Sequence, residues 1–99
     1  MNKNTLFDQK NIKKIFFGGI YGASVSGLSI FCKGLGYEVE GSDVSDPPEM
    51  QDLLESFGIN VIPSQTAKNL IGADAYVYTH ALSEDNPELT EAKRLGIPS

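Results

Sequence analysis

Short apolar runs alternate along the chain with longer segments in which apolar residues recur every three or four positions. The runs predict buried strands at 14–18, 37–42, 59–62 and 73–79. The periodic segments predict helices at 23–35, between Asp46 and Gly58, and from Pro87 onwards, with a short helix or turn at 64–70. Asp46 is the expected N-cap of the second helix, and Ile97 is the expected first residue of a fifth strand.

This alternation of strands and helices, joined by short loops, predicts an α/β fold of the Rossmann-like kind. We expect a three-layer αβα arrangement in which helices cover both faces of a mostly parallel sheet of four to five strands. Right-handed crossovers between parallel strands give the strand order 3-2-1-4, with room for a fifth strand. Because the chain stops where that fifth strand would begin, we expect it to be a piece of a longer protein.

The segment 13–27, KKIFFGGIYGASVSG, is the feature around which this fold is organised. A buried strand breaks there into a glycine-containing turn that opens a helix, whose first N–H groups have no intrahelical partner. Those groups and the helix dipole favour a phosphate without any lysine or arginine. The match to the dinucleotide fingerprint GxGxxG is weak, because Tyr21 and Ser24 stand at the second and third glycine positions. Ser24 and Ser26 either donate hydroxyl hydrogen bonds to the phosphate or cap the helix.

Three segments should meet at the carboxyl ends of the strands, where ligands bind in parallel sheets. They are the turn 18–26, the end of the second strand at Ser42 and Asp43, and the loop Thr79-His80-Ala81. Asp43 lies where an acidic residue binds a ribose hydroxyl in Rossmann-type domains, or it serves as a turn residue. His80, the single histidine, contacts the ligand or acts in acid–base chemistry, or it is an ordinary loop residue.

Composition and charge narrow the classes of function. A chain of 99 residues is long enough for one domain, in which we expect residues 1–11 to form a flexible leader and residues 12–99 the folded part. The net charge of −5 argues against nucleic-acid binding, and no apolar stretch approaches the roughly 18 residues of a membrane span. The polar N-terminus has no signal-peptide core, so we expect a cytoplasmic protein.

The sequence offers little for metal or thiol chemistry. The single cysteine, Cys32, lies in an apolar helical pattern and is expected to be a packed core thiol. No metal-ligand spacing occurs, and the GxxxxGK(S/T) phosphate loop of many ATP-binding proteins is missing from the sequence.

Taken together, these segments resemble the N-terminal domain of the Mur ligase family over nearly the whole chain, from Ile15 to Pro98. The turn FGGIYGASVSG at 17–27 is similar to the family's GIGGxGMSG, and GYEVEGSD at 36–43 is similar to its second strand. ADAYVYTHA at 73–81, DNPE at 85–88 and GIP at 96–98 look like later family motifs in the same order. The departures lie in the turn and in the facing loop: Tyr21 and Ser24 for glycines, Val25 for methionine, and Thr79-His80 for serines.

The resemblance implies a domain that holds the UDP part of UDP-N-acetylmuramate for an ATP-dependent ligase of peptidoglycan biosynthesis. The diphosphate would lie on residues 22–26, the uridine near Ser42 and Asp43, and the loop 79–81 would form the opposite wall. ATP and Mg²⁺ would activate the muramoyl carboxylate in a central domain, so the remaining ligase chain is the implied partner, and this chain alone would bind without catalysing. The implied substrate-binding residues are Tyr21, Gly22, Ala23, Ser24, Val25, Ser26, Ser42, Asp43, Thr79, His80 and Ala81; the resemblance implies no catalytic, cofactor-binding or metal-binding residue here.

Other hypotheses remain open beside this one. Within the family, the resemblance is closest to the alanine-adding ligases, whereas Pro47-Pro48 after GSD is similar to the murein-peptide ligases, which join UDP-N-acetylmuramate to a recycled peptide. A nicotinamide-nucleotide-binding domain of an oxidoreductase is favoured by the fold and by Asp43 but opposed by Tyr21 and Ser24. A regulatory or interaction module that has lost its ligand is suggested by the unusual turn residues.

Overall fold

The computed structural model describes residues 12–79 and 81–99; the predicted leader 1–11 and His80 lie outside the described residues. Its strands are β1 (Lys14–Gly18), β2 (Glu38–Ser42), β3 (Asn60–Ile62) and β4 (Ala75–Val77). They pair in parallel as a single sheet in the order β3-β2-β1-β4. The predicted strand order and the parallel sheet are therefore confirmed.

Helices cover both faces of this sheet. The α-helices are α1 (Ala23–Gly34), α2 (Pro48–Ser56) and α3 (Pro87–Leu95), and a 3₁₀ helix (Ala67–Leu70) lies between β3 and β4. Residues of α1 and α2 belong to one hydrophobic cluster, and residues of α3 and the 3₁₀ helix belong to a second cluster on the opposite face. This arrangement confirms the three-layer αβα prediction.

The central strand β1 supplies side chains to both clusters. Ile15 and Phe17 lie in the cluster under α1 and α2, and Phe16 lies in the cluster under α3; all three side chains are fully buried. Successive residues of a strand point to opposite faces, so a continuous apolar run fits a strand that is covered on both sides. Because β2 and β4 flank β1, the turn that follows β1 opens between the ends of its two neighbours.

Cys32 lies fully buried in the cluster under α1 and α2. Burial raises the pKa of its thiol, because the charged thiolate would lose its hydration there. The prediction of a packed core thiol is confirmed.

The predicted N-cap of α2 is wrong. The cap is Pro47 rather than Asp46, and its carbonyl accepts hydrogen bonds from the amides of Met50 (3.1 Å) and Gln51 (3.0 Å). The helix therefore starts one residue later than predicted, and no side chain caps its first turn in the described part of the chain. Proline is well suited to this start, because its missing N–H would have no helical partner there.

The fourth strand is shorter than the predicted span 73–79, because its first residues are engaged elsewhere. The Ala73 amide donates to the Leu70 carbonyl (3.0 Å), which closes the turn after the 3₁₀ helix. Residues 12–79 and 81–99 contain no assigned fifth strand, so the sheet has four strands there, within the predicted four to five. The Tyr76 amide nevertheless donates to the Pro98 carbonyl (2.9 Å), which leaves the segment after α3 beside the free edge of β4.

Candidate functional site

The turn after β1 is tied to the end of β2 by backbone hydrogen bonds. The amides of Gly19 and Ile20 both donate to the Ser42 carbonyl, at 2.9 Å and 3.1 Å, and the Gly22 amide donates to the Gly19 carbonyl at 3.0 Å. Gly19 has φ 71°, a left-handed conformation that glycine adopts without steric cost. The chain can therefore reverse tightly here and begin α1 at the carboxyl edge of the sheet.

The first turn of α1 presents unpaired backbone N–H groups. Gly22 is the N-cap and has no side chain to offer, and its carbonyl accepts the first helical hydrogen bond from the Ser26 amide (2.8 Å). The amides of Ala23, Ser24 and Val25 have no acceptor among the described residues. Such amides, together with the positive end of the helix dipole, form a site for an anion.

The side chains of this first turn point in different directions. Ala23 and Ser24 are exposed, so the Ser24 hydroxyl is open to a ligand. Val25 lies in the core cluster, which leaves only its backbone on the ligand side. Ser26 is buried, and its hydroxyl donates to the Ala23 carbonyl (3.0 Å). Of the two serines predicted to contact a phosphate, Ser24 is the one whose hydroxyl is accessible.

The end of β2 places a carboxylate and a buried hydroxyl beside the turn. Asp43 accepts hydrogen bonds on Oδ2 from the Tyr21 amide (3.0 Å) and on Oδ1 from the amide (2.9 Å) and hydroxyl (2.8 Å) of Ser45. Asp43 therefore has the turn role that the sequence allowed, and it ties the glycine turn to the loop after β2. Ser42 is fully buried, and its Oγ has no hydrogen-bond partner among the described residues.

The loop after β4 forms the opposite wall. The Ala81 amide donates to Thr79 Oγ1 (3.1 Å), and the Leu82 amide donates to the Thr79 carbonyl (3.2 Å). Thr79 and Ala81 face the glycine turn across a cavity of about 340 Å³, called here the turn cavity, which is also lined by Gly19, Gly22 and Asp43. The turn cavity thus brings together parts of the three predicted segments: Gly19, Tyr21 and Gly22 of the turn, Asp43, and Thr79 with Ala81. The predicted residues 23–26 and Ser42 do not line it, and His80 lies outside the described residues.

A second cavity of about 510 Å³, called here the acidic cavity, adjoins the first between α2 and the end of β3. Asp43, Asp46 and Glu55 line it with Asn60, and no lysine or arginine of residues 12–79 and 81–99 lines either cavity. The sequence prediction missed this cavity. The sequence feature that could have indicated this cavity is Pro63, which follows β3 at the same edge of the sheet as Asp43.

Tyr21 lies at the boundary, because it lines both cavities. Burial raises the pKa of its hydroxyl, and the negative charges of Asp43 and Asp46 raise it further. The hydroxyl is therefore protonated and neutral at physiological pH, and it lies within electrostatic reach of both carboxylates.

A buried carboxylate lies under α3, on the face of the sheet opposite α1 and α2. Glu88, in the first turn of α3, is fully buried and accepts hydrogen bonds from the Tyr76 hydroxyl (2.9 Å) and from Asn69 Nδ2 (2.8 Å). Burial raises the pKa of the Tyr76 hydroxyl, and the adjacent Glu88 carboxylate raises it further. Sequence analysis noted the DNPE segment but gave no role to its glutamate.

Within residues 12–79 and 81–99, no histidine, cysteine, aspartate and glutamate side chains form a group of three or more that could hold a metal ion. Among the same residues, no helix has both the length and the apolar character needed to cross a membrane.

Comparison with known proteins relates this geometry to one family. Residues 14–99 match the family described as "Mur ligase family, catalytic domain". The UDP-N-acetylmuramate–L-alanine ligase of Acetivibrio thermocellus is 39% identical over 99 residues, which cover 100% of this chain and 21% of that protein. The chain therefore spans about a fifth of the length of this curated relative.

Two crystal structures share the fold. The UDP-N-acetylmuramate:L-alanyl-γ-D-glutamyl-meso-diaminopimelate ligase of Neisseria meningitidis matches with a TM-score of 0.79 and 32% identity, covering 88% of this chain and 28% of that one. The UDP-N-acetylmuramate–alanine ligase of Thermotoga maritima matches with a TM-score of 0.77 and 30% identity, covering 86% of this chain and 20% of that one.

Proposed function

The chain belongs to the Mur ligase family, and from this premise we propose that it is the N-terminal domain of a UDP-N-acetylmuramate–L-alanine ligase of peptidoglycan biosynthesis. In this proposal the domain holds the UDP part of UDP-N-acetylmuramate, and the remaining chain of the ligase is its partner. The identity of 39% with an L-alanine ligase over the whole chain supports this substrate. Residues 1–11 would be a leader to the domain at 12–99, and the enzyme would act in the cytoplasm.

The N-terminus of α1, whose N-cap Gly22 lines the turn cavity, is the observation that carries this proposal. A diphosphate has several negative oxygens, and the unpaired amides of Ala23, Ser24 and Val25 are oriented as donors at one end of a helix dipole. The exposed Ser24 hydroxyl adds a donor beside them. Backbone donors also explain how an anion can bind at a site that no lysine or arginine of the described chain lines.

The flanking segments fit the rest of the ligand. Asp43 and the unpartnered Ser42 hydroxyl lie at the end of β2, where the uridine would lie. Thr79 and Ala81 line the turn cavity from the other side, and His80 belongs to the same loop in sequence.

ATP and Mg²⁺ belong to another part of the full-length enzyme in this proposal. This chain does not fit them, because its sequence lacks the GxxxxGK(S/T) phosphate loop and its described residues form no metal-binding cluster. We therefore assign no catalytic residue and no step involving ATP to this chain.

A murein-peptide ligase is the second candidate, favoured by the match to the Neisseria structure at 32% identity and a TM-score of 0.79. The two candidates share the UDP-N-acetylmuramate substrate and differ in the amine that is joined to it. The oxidoreductase hypothesis is not favoured, because the chain belongs to the Mur ligase family. A module that has lost its ligand stays a hypothesis for the binding experiment to test.

Amide chemical-shift titrations of this chain with UDP, UDP-N-acetylmuramate and NAD⁺ in parallel test the proposal. We expect the two uridine ligands to shift the amides of residues 22–26 and Asp43, and NAD⁺ to leave them unchanged. A preference for NAD⁺ would contradict the proposal. Silence from all three ligands in a folded sample would favour the module without a ligand.

The variant Ala23→Pro tests the role of the backbone amides directly. It removes one unpaired N–H at the first position of α1, where proline is tolerated, and Gly22 already has the extended conformation that a residue before proline prefers (φ −61°, ψ 145°). We expect normal stability and a UDP affinity lowered about tenfold, as for the loss of a hydrogen bond to a charged group. Ser24→Ala, which keeps every amide, is the control and should cost less affinity. Unchanged binding of UDP by Ala23→Pro would refute the role of this amide.

A further inference from the structure

Tyr21 departs from the family motif at the point where the two cavities adjoin. It lines both the turn cavity and the acidic cavity, and it is half-buried against the hydrophobic cluster under α1. Its amide donates to Asp43 Oδ2 (3.0 Å), so its backbone is held by the same carboxylate that closes the loop after β2. The backbone from which this large aromatic side chain extends is thereby held beside the proposed ligand.

The two cavities carry different charges, so we expect different parts of the ligand to lie in each of them. Asp43, Asp46 and Glu55 line the acidic cavity, and no lysine or arginine of the described chain lies there to balance them. A diphosphate would be repelled more strongly by these three carboxylates than by Asp43 alone, which is the one carboxylate of the described chain that lines the turn cavity. The start of α1, beside the turn cavity, attracts it. An uncharged planar base has no such penalty, and its ring N–H can donate to a carboxylate.

Tyr21 lines the acidic cavity together with Asp43 and Asp46. Both Asp43 and Asp46 act on the pKa of its hydroxyl, and Asp46 lines the acidic cavity alone. An uncharged phenol ring at this position offers a π-face to a nucleobase. Stacking of a base on an aromatic side chain is favourable for every base, because each one has a π-face.

We propose that Tyr21 is a specificity-determining residue whose ring stacks on the uracil base of the UDP-sugar in the acidic cavity, while the diphosphate lies on the N-terminus of α1. This inference rests on the proposed function and adds to it a residue and a division of the site.

The test compares the unaltered chain with Tyr21→Ala and Tyr21→Phe, using uridine, UDP and inorganic pyrophosphate as separate probes in isothermal titration calorimetry. We expect Tyr21→Ala to weaken uridine and UDP binding about tenfold and to leave pyrophosphate binding unchanged, and Tyr21→Phe to keep most of the affinity. The chain has four tyrosines and no tryptophan, so tyrosine fluorescence reports on the ring directly. Uridine should quench the unaltered chain more than Tyr21→Phe.

The outcomes separate this inference from the function on which it rests. If the unaltered chain does not bind UDP, the proposed function fails and the inference fails with it. If the unaltered chain binds UDP and Tyr21→Ala binds it equally well, stacking is refuted while the function stands. An equal loss of pyrophosphate binding would show that Tyr21 acts on the turn and would also refute stacking. Should Tyr21→Ala not fold, identical uridine quenching of the unaltered chain and Tyr21→Phe would overturn the inference.

Discussion

A single methyl group added at Gly18 should destabilise the fold severely. An ideal Cβ at this position would overlap the hydroxyl oxygen of Tyr76, and it would lie 2.7 Å from the Tyr76 Cζ and 3.1 Å from Glu88 Oε1. Tyr76 is fully buried and stacks on Phe16 and Tyr78, with ring centroids 6.4 Å and 5.5 Å apart. The ring therefore has little room to move, and Gly18→Ala must displace packed atoms.

Two costs determine the magnitude for Gly18→Ala. Overpacking a filled core costs about 1–3 kcal/mol. Displacing the Tyr76 hydroxyl also breaks its 2.9 Å hydrogen bond to the buried Glu88 carboxylate, and a hydrogen bond to a charged group is worth about 1.5–3 kcal/mol. We expect a total loss of about 2.5–6 kcal/mol, a large part of the roughly 5–15 kcal/mol by which a small domain is stable.

Urea unfolding followed by far-UV circular dichroism measures this loss, with the slope m compared between variants. Gly27→Ala, on α1, is the matched control, because it also adds one methyl group. A Cβ at Gly27 would have no atom within 4 Å apart from its own helix backbone and chain neighbours. The control should be stabilised by about 0.5–1 kcal/mol, since alanine favours a helix more than glycine does. If Gly18→Ala were as stable as the unaltered chain, the close packing of β1 against Tyr76 would be refuted.

Two further substitutions test the carboxylates that hold the sheet edges. Asp43→Asn should lower the free energy of unfolding by about 1–2 kcal/mol and weaken UDP binding, because an amide cannot accept both the Tyr21 hydrogen bond and those on the other oxygen. Urea unfolding and UDP titration would measure the two effects. Unchanged values would contradict the role given to Asp43. Asp74 accepts hydrogen bonds from the amides of Lys14 and Lys13 (2.9 Å each), and these two bonds lower the pKa of its carboxyl below the ordinary 3.8. The stabilising effect of the Asp74 carboxylate is therefore present above that value and is lost as the pH falls through the lower folded-state pKa. As the pH is lowered from about 5 to about 2, the free energy of unfolding of Asp74→Asn should therefore fall less than that of the unaltered chain. A parallel fall in both proteins would refute this.

The sequence predicted the order of the sheet because its signals are local. Apolar runs and helical periodicity identify the elements, and the right-handed crossover rule then leaves few topologies. Element ends were less predictable, since they depend on hydrogen bonds between distant residues. Ala73 leaves β4 because its amide donates to the Leu70 carbonyl. Asp46 is not the cap because Pro47 precedes Pro48, which disfavours a helical conformation for Pro47 and leaves it outside the helix as the N-cap.

The site was predicted only in its backbone part. A glycine turn that opens a helix indicates free backbone amides, and the position of Asp43 at the end of β2 indicates that it lies near them. The acidic cavity and the burial of Glu88 depend on how α2 and α3 pack on the sheet, which no single segment encodes. A glutamate in the first turn of a helix is ordinarily placed by the helix dipole at the surface, and only the positions of Tyr76 and Asn69 explain why this one is fully buried.

The fold tolerates Tyr21 and Ser24 at the two turn positions where the family motif has glycine, and this tolerance indicates the role of these residues. Gly19 alone among the turn residues 18–26 has a positive φ, and no residue other than glycine in the described chain has one. Tyr21 and Ser24 therefore stand in backbone conformations that any residue adopts, so the chain has no need of glycine at these two positions. The effect of a glycine at either position would therefore be to leave space for a ligand. Replacing it with tyrosine changes the shape of the ligand site and leaves the fold intact, which is the behaviour expected of a residue that determines specificity.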